Sequence, residues 1–84
     1  MRQPELAKNL RTTRALLDLT QEQVARAAGI STELYRRHEL KAENPTLETI
    51  IKMAKGLQTT VTALTVGVDY DSTEWDEPSA EPNP

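Results

Sequence analysis

Apolar residues recur at helical spacing near the start of the chain. Leu6, Leu10, Thr13 and Leu17 follow one another at intervals of three or four positions, a spacing that places side chains on one face of an α-helix. Pro4 precedes them, and proline suits the first turn of a helix because its missing N–H would lack an intrahelical partner there anyway. The pattern predicts a first helix from Pro4 to Leu17.

Two short helices follow, and each has a clear start signal. Thr20 with Gln23 three positions later fits a capping box, in which each side chain bonds the other residue's backbone N–H. Gly29 supplies the left-handed backbone of a tight helix exit, and Ser31 is a good N-cap for a third helix that should run to about Leu40. Two helices separated by so few residues must cross steeply, which predicts a helix-turn-helix.

The apolar pattern continues through two further helices. After a loop, Thr46 is placed to cap a fourth helix, and Thr60 to cap a short fifth helix that carries Val61 and Leu64. The predicted apolar stripe of the fourth helix is Leu47, Ile50, Ile51, Ala54 and Leu57. The sequence therefore predicts one compact all-α domain of five helices over residues 1–67.

Composition limits what such a domain can be. With 84 residues there is room for one small domain, and with no cysteine there are no disulfides to stabilise it. No stretch approaches the roughly 20 apolar residues of a transmembrane helix, and the N-terminus lacks the apolar core of a secretory signal. We expect a soluble cytoplasmic protein without a metal or other cofactor.

The charge is divided unevenly along the chain. Residues 1–68 hold all 10 Lys and Arg against 7 Asp and Glu, whereas residues 69–84 hold 6 acids and no base, so the net charge of −3 combines +3 with −6. A basic domain with an acidic tail hints at nucleic-acid binding. Residues 68–84 also carry three of the five prolines and few apolar residues, which predicts disorder. The tail is interpreted either as inert, as an electrostatic competitor of DNA, or as a protein-binding segment anchored by Trp75.

Two segments resemble a known family. The stretch from Leu19 to Ser31 (LTQEQVARAAGIS) and that from Asn44 to Leu57 (NPTLETIIKMAKGL) are similar to the lambda-repressor-like, or Cro/repressor (XRE-type), helix-turn-helix family. The resemblance covers roughly residues 5–66. It implies a five-helix DNA-binding domain, a homodimer on DNA, and regulation of transcription as in phage repressors, antitoxins and restriction-modification controllers.

The sequence departs from the family at the end of the third helix. The family usually has a glycine turn there, whereas this chain has Glu39, Leu40 and Lys41. Without glycine a left-handed exit is costlier, so we expect a longer third helix or a different loop. His38 occupies a usually apolar position and is interpreted as a half-buried structural residue, not as a metal ligand or catalytic base.

Candidate DNA contacts follow from the major-groove geometry of a recognition helix. Thr32, Glu33, Arg36 and Arg37 point outward once Leu34, Tyr35 and His38 are assigned to the core side. Arginine can pair with guanine and glutamate with cytosine, although Glu33 equally suits the helix dipole. Which arginine reads a base and which holds a phosphate stays open. The complete predicted set is Gln21, Ser31, Thr32, Glu33, Arg36, Arg37, Lys41, Asn44 and Thr46.

The resemblance assigns roles to three further positions. Gln21 matches a residue that donates to a DNA phosphate, with local capping of the second helix as the alternative. Arg14 and Glu39 match an ion pair between the first helix and the end of the third, so they are assigned to the scaffold.

For the dimer contact, the candidates are the apolar residues of the last helix and its exit, Val61, Leu64 and Val66. The alternative is that these residues only close the core.

The same residues bear on the alternative functions, which are an enzyme, a protein-binding adaptor and an antitoxin. One histidine, no cysteine and no glycine-rich phosphate loop make an enzyme a poor interpretation. A protein-binding adaptor or an antitoxin that reuses the fold is the alternative. The discriminating feature is whether Gln21, Arg36 and Arg37 share one exposed face that no acidic residue other than Glu33 occupies.

Overall fold

The computed structural model describes residues 3–42 and 45–68. All five predicted helices are confirmed within these ranges, and the predicted start and end of the first helix are exact. The helices are α1 Pro4–Leu17, α2 Gln21–Ala28, α3 Thr32–Leu40, α4 Leu47–Gly56 and α5 Val61–Leu64.

The helix ends form where the polar residues predicted them. The Thr20 side chain accepts from the Gln23 backbone N–H at 3.0 Å, and the Gln23 side chain accepts from the Thr20 N–H at 2.8 Å, which completes the capping box. Gly29 ends α2 in the left-handed region with φ 79°. Thr46 and Thr60 cap α4 and α5 through their hydroxyls. Each cap satisfies a backbone N–H that has no intrahelical acceptor.

One apolar core joins the five helices. Its largest fully buried side chains are Tyr35, Leu6, Leu10, Met53, Leu57, Leu64 and Val24. Helices α2 and α4 pack at especially close range, since a Cβ on Gly56 would lie 2.8 Å from the Val24 carbonyl oxygen and 2.9 Å from the Ala28 Cβ. The core thus holds α2 firmly against α4.

The predicted apolar stripes were partly wrong. Leu17 is 36% exposed, Ile51 43% and Leu47 66%, whereas Met53 is fully buried. On α4 the face toward α2 is centred on Ile50 and runs through positions three, four and seven residues later. Ile51 lies about 100° around the helix from that centre, and Leu47 is in the first turn, beyond the packed region.

The connection after α3 forms without the glycine that the family usually has there. The helix does not run longer but ends at Lys41 with φ −132°, and Ala42 takes the left-handed conformation with φ 51° while fully buried. The Gln3 N–H donates to the Lys41 and Ala42 carbonyls at 3.3 and 3.2 Å. The start of α1 therefore holds this turn in place, and alanine adopts a conformation that glycine would adopt at lower cost.

Candidate nucleic-acid interface

The solvent-facing side of α3 carries the predicted recognition residues. Glu33, Arg36 and Arg37 are exposed and Thr32 is half-buried. The Ser31 hydroxyl accepts from the Leu34 N–H at 3.0 Å, so it caps the helix. Charged side chains with both donor and acceptor chemistry therefore project from the first turns of α3, the part of a recognition helix that meets base edges.

Gln21, at the start of α2, is bonded to α3 by its side-chain amide. Its Nε2 donates to the Glu39 Oε1 at 2.9 Å, and its Oε1 accepts from the Arg36 Nε at 3.2 Å. Capping of α2 is performed by Thr20 and Gln23, so the alternative capping role predicted for Gln21 is wrong. The structure brings Gln21 and Arg36 together on one face.

The predicted ion pair between Arg14 and Glu39 is confirmed. Arg14 donates to both carboxylate oxygens of Glu39 and, through Nη1, to the Leu19 carbonyl at 2.9 Å. Glu39 is only 3% exposed. Burial pushes the pKa of this carboxyl up, but the hydrogen bonds from Arg14 and Gln21 outweigh burial and hold the pKa below its ordinary value. Glu39 is therefore an ionised carboxylate whose charge Arg14 balances.

Sequence reasoning missed Arg11. Its Nη1 donates to the Glu39 backbone carbonyl, near the negative end of the α3 dipole. Together with Gln21, Arg36, Glu39 and Leu40 it lines a shallow cleft of about 270 Å³. The signal was available, because Arg11 precedes Arg14 by three residues and so lies on the same face of α1.

The remaining predicted contacts flank α3. Lys41 is exposed at the end of the helix. Thr46 is exposed, and its hydroxyl accepts from the Thr49 N–H at 3.1 Å while bonding the Thr49 hydroxyl at 2.9 Å. Asn44 and the acidic tail of residues 69–84 lie outside the described residues. Arg37 is exposed one position beyond Arg36, about 100° around the helix.

Two polar atoms are buried on the core side of α3, opposite to the exposed Glu33, Arg36 and Arg37. Tyr35 is fully buried and His38 is 4% exposed, which is deeper than the half-burial predicted for the histidine. Neither the Tyr35 hydroxyl nor the His38 Nδ1 has a hydrogen-bond partner among the described residues. Burial, reinforced by the nearby Arg37 charge, lowers the pKa of His38. The neutral form of His38 therefore packs beneath the recognition residues.

Within residues 3–42 and 45–68, no group of His, Cys, Asp and Glu is arranged to hold a metal ion. The helices described over those ranges are also too short and too polar to span a membrane.

Comparison with known proteins identifies the family. A helix-turn-helix family model matches residues 10–64. The chain is 41% identical over 59 residues to the control protein C.SmaI of Serratia marcescens, a match that covers 70% of each protein.

Solved structures share the fold. The restriction-modification controller protein C.AhdI from Aeromonas hydrophila superposes with a TM-score of 0.69 at 26% identity, over 73% of this chain and 92% of that one. A point mutant of the restriction-modification controller protein C.Esp1396I superposes with a TM-score of 0.72 at 17% identity, over 76% of this chain and 83% of that one. Family model, relative and fold agree, and the chain belongs to the helix-turn-helix family of DNA-binding transcription regulators, which are not enzymes.

Proposed function

We propose that this chain is a cytoplasmic regulator that binds a specific operator as a homodimer, with the first turns of α3 in the major groove. The observation that carries the proposal is the face formed by Arg36 and Gln21, joined at 3.2 Å. The one acidic side chain lining the adjacent cleft, Glu39, is buried and paired with Arg14. Glu33 is then the one exposed acid on α3, against the two exposed arginines Arg36 and Arg37. This excess of positive charge favours DNA over the adaptor alternative.

The residues divide into two roles in this proposal. Thr32, Glu33, Arg36 and Arg37 face the bases or the nearest phosphates from α3. Gln21 faces a phosphate at the positive end of the α2 dipole, since one of its two amide hydrogens remains free after the bond to Glu39. Ser31, Lys41, Asn44 and Thr46 complete the proposed set on the flanking phosphates, and Arg11 joins it because it lines the same cleft.

Dimerisation supplies the length of DNA that one small domain cannot cover. Two copies related by two-fold symmetry would read half-sites about one helical turn apart. Of the predicted contact residues, Leu64 is fully buried within its own chain and is therefore unavailable, whereas Val66 is 64% exposed. Leu47 and Ile51 lie one turn apart and are exposed on α4, which begins directly after its N-cap Thr46, one of the proposed DNA contacts. We place the partner against this α4 surface.

The dimer surface has a direct test. Ile51→Asp should lower the sedimenting mass from dimer to monomer and reduce operator affinity, because a buried unpaired charge opposes association. Leu16→Asp is the matched control, since Leu16 is an 81% exposed leucine on α1. Equal effects of the two variants would place the dimer contact elsewhere.

The identity to a control protein supports a narrower regulatory role. We infer that the operator lies upstream of genes of a restriction-modification system. Selection of bound sequences from random duplex DNA gives the motif and its symmetry together. The motif should be an approximate palindrome and should occur in front of such genes. An occurrence upstream of a toxin gene would instead favour the antitoxin alternative.

The recognition helix is tested by charge removal. Arg36→Ala and Arg37→Ala should each weaken operator binding by about 1–3 kcal/mol if the arginines contact bases. The control is Lys55→Ala, which removes one exposed positive charge from the last turn of α4. Lys55 lies next to Gly56, which packs on the end of α2 opposite to Gln21, so this charge is distant from the proposed interface. Unchanged binding by the double arginine variant would disprove the assignment of α3.

A further inference from the structure

A chain of hydrogen bonds connects the scaffold to the recognition face. It runs from Arg14 on α1 to Glu39 at the end of α3, then to Gln21 on α2, and from there to Arg36. From this geometry we infer that Glu39 is a positioning residue, which sets the orientation of Arg36 toward DNA through the Gln21 amide. The inference rests on the proposed DNA-binding function and goes beyond it by assigning the buried residues that prepare the contact.

The chemistry of the partners fixes which way the Gln21 amide points. An ionised carboxylate only accepts hydrogen bonds, and a guanidinium only donates them. Between Glu39 and Arg36, the amide must therefore turn its nitrogen to the carboxylate and its oxygen to the guanidinium, which is the arrangement present. A flipped amide would lose both bonds at once, so each bond enforces the other.

The carboxylate end of the chain is itself held in place. Glu39 is 3% exposed, and both of its carboxylate oxygens accept from Arg14, which bonds the Leu19 carbonyl as well. The Arg11 guanidinium bonds the Glu39 backbone carbonyl. A fixed acceptor orients Gln21, and Gln21 in turn restrains Arg36.

Restraint of Arg36 has a functional consequence. Arg36 is exposed, and a free arginine side chain loses much rotational freedom when it binds. A side chain already held near its bound orientation loses less, so its contact contributes more to affinity. The Arg36 Nε is used by Gln21, which leaves the two terminal nitrogens, with four N–H donors, to face DNA.

Arg37 provides the matched comparison on the same helix. It is exposed like Arg36, carries the same charge, and shares no hydrogen bond with Gln21 among the described residues. The inference therefore predicts coupling between Gln21 and Arg36 and independence of Gln21 and Arg37.

The test is a pair of double-mutant cycles in operator binding by the full chain. Gln21→Met preserves length and removes both amide bonds. It should lower affinity about tenfold in the wild-type background but only about twofold beside Arg36→Ala, because the residues act as one unit. Beside Arg37→Ala it should retain its full tenfold effect. Thermal melting of every variant confirms that binding is measured on folded protein.

A second set of variants tests the role of Glu39 without leaving a buried charge unpaired. The double substitution Arg14→Met with Glu39→Met removes the ion pair and the acceptor of Gln21 together. The loss of operator affinity caused by this double substitution should be smaller in the Arg36→Ala background than in the wild type. It should be unchanged in the Arg37→Ala background. A merely structural role of the pair would reduce binding equally in both backgrounds.

The outcomes separate this inference from the proposed function. If wild type binds its operator and the effects of Gln21→Met multiply with those of Arg36→Ala, Gln21 acts independently and the inference fails. It also fails if Arg36→Ala leaves affinity unchanged. Absence of operator binding by the wild type would overturn the proposed function itself.

Discussion

Arg14 illustrates how a charged residue on a DNA-binding domain can serve the fold. It reaches the 3% exposed carboxylate of Glu39 and the Leu19 carbonyl, so it joins α1 to the end of α3 and to the connection that precedes α2. Removal of the Arg14 side chain would leave the Glu39 carboxylate buried without its charge partner. Loss of one member of a buried pair is costly even where the pair contributes little net stability.

The first prediction concerns this pair. Arg14→Ala should lower the free energy of unfolding by about 3 kcal/mol, measured by urea denaturation. It should lower the operator affinity of the folded fraction by less, because Glu39 remains as the acceptor of Gln21. Arg26→Ala is the control, since Arg26 and its partner Glu22 form an exposed pair 3.6 Å apart on α2 and such pairs contribute about 0–1 kcal/mol. A binding defect with unchanged unfolding would make Arg14 a DNA contact.

His38 gives the second prediction at this scale, through its pKa. Burial and the Arg37 charge lower the pKa of His38 in the folded state from its ordinary value of 6.5. As pH falls below about 6.5, the unfolded chain therefore takes up a proton that the folded chain resists. Stability should decrease from pH 7.5 to pH 5.5, because the unfolded state binds more protons in that interval.

Melting temperatures of wild type and His38→Met across that interval test the assignment. The variant should show a flatter dependence, because methionine cannot titrate, and it also removes a buried Nδ1 that has no partner within the described residues. Titration of Glu39 does not contribute between pH 5.5 and pH 7.5, since its pKa is held below the ordinary value of 4.5. Parallel curves for the two proteins would show that another group causes the pH dependence.

At the scale of helices, α2 and α4 approach one another closely at Gly56. The space that a Gly56 Cβ would need is filled by the Val24 carbonyl oxygen at 2.8 Å and by Ala28. The first of these atoms belongs to the backbone of α2, so it cannot move without displacing the helix. Gly56 is retained in a helix because of packing, although glycine weakens helices in isolation.

Gly56→Ala is therefore expected to destabilise the domain by about 1–3 kcal/mol, because overpacking outweighs the gain in helix propensity. Thermal or urea unfolding measures it. Lys55→Ala, one position earlier on the exposed side of the same turn, is the control for a change to alanine outside the packed contact and should change stability little. A stabilised Gly56→Ala would mean that α2 and α4 separate without cost.

Local signals in the sequence were sufficient for the helices but not for every face. Thr20, Gly29 and Ser31 specify their ends by bonds to neighbouring backbone, which sequence shows directly. Ile51 could not be assigned, since apolar residues on both sides of α4 make the buried face ambiguous until α2 is placed. The turn at Ala42 depends on Gln3, distant in sequence, so only its departure from the glycine pattern was predictable.

Across the whole molecule, the exposed positions of α3 were predictable from the sequence, whereas the hydrogen bonds between helices were not. The exposed positions of α3 follow from helical periodicity once its core side is known. The bond between Gln21 and Arg36 links different helices, so it could not be predicted from spacing. The position of Arg11 could, because it lies three residues before Arg14 on the same face of α1. The family resemblance supplied the Arg14–Glu39 pair, which the structure then linked to the recognition face.

The last prediction concerns the division of charge along the whole chain. Residues 69–84 carry six acids and no base, and they directly follow a domain of net charge +3. A charged segment tethered to a binding domain acts on that domain at a high effective concentration. We predict that it competes with DNA phosphates and weakens non-specific binding more than operator binding. Only the operator complex has base contacts to offset the competition.

Deletion of residues 69–84 tests the competition, with random-sequence duplex and operator titrated in parallel at low salt. Non-specific affinity should rise more than operator affinity, and the difference should shrink as added salt screens the tail. The matched control keeps the length but replaces the six acids by Asn and Gln, and it should behave like the deletion because charge is the cause. If neither variant raises non-specific affinity, the tail does not compete with DNA. Trp75→Ala would then distinguish a protein-binding tail, whose partner it would release, from an inert one.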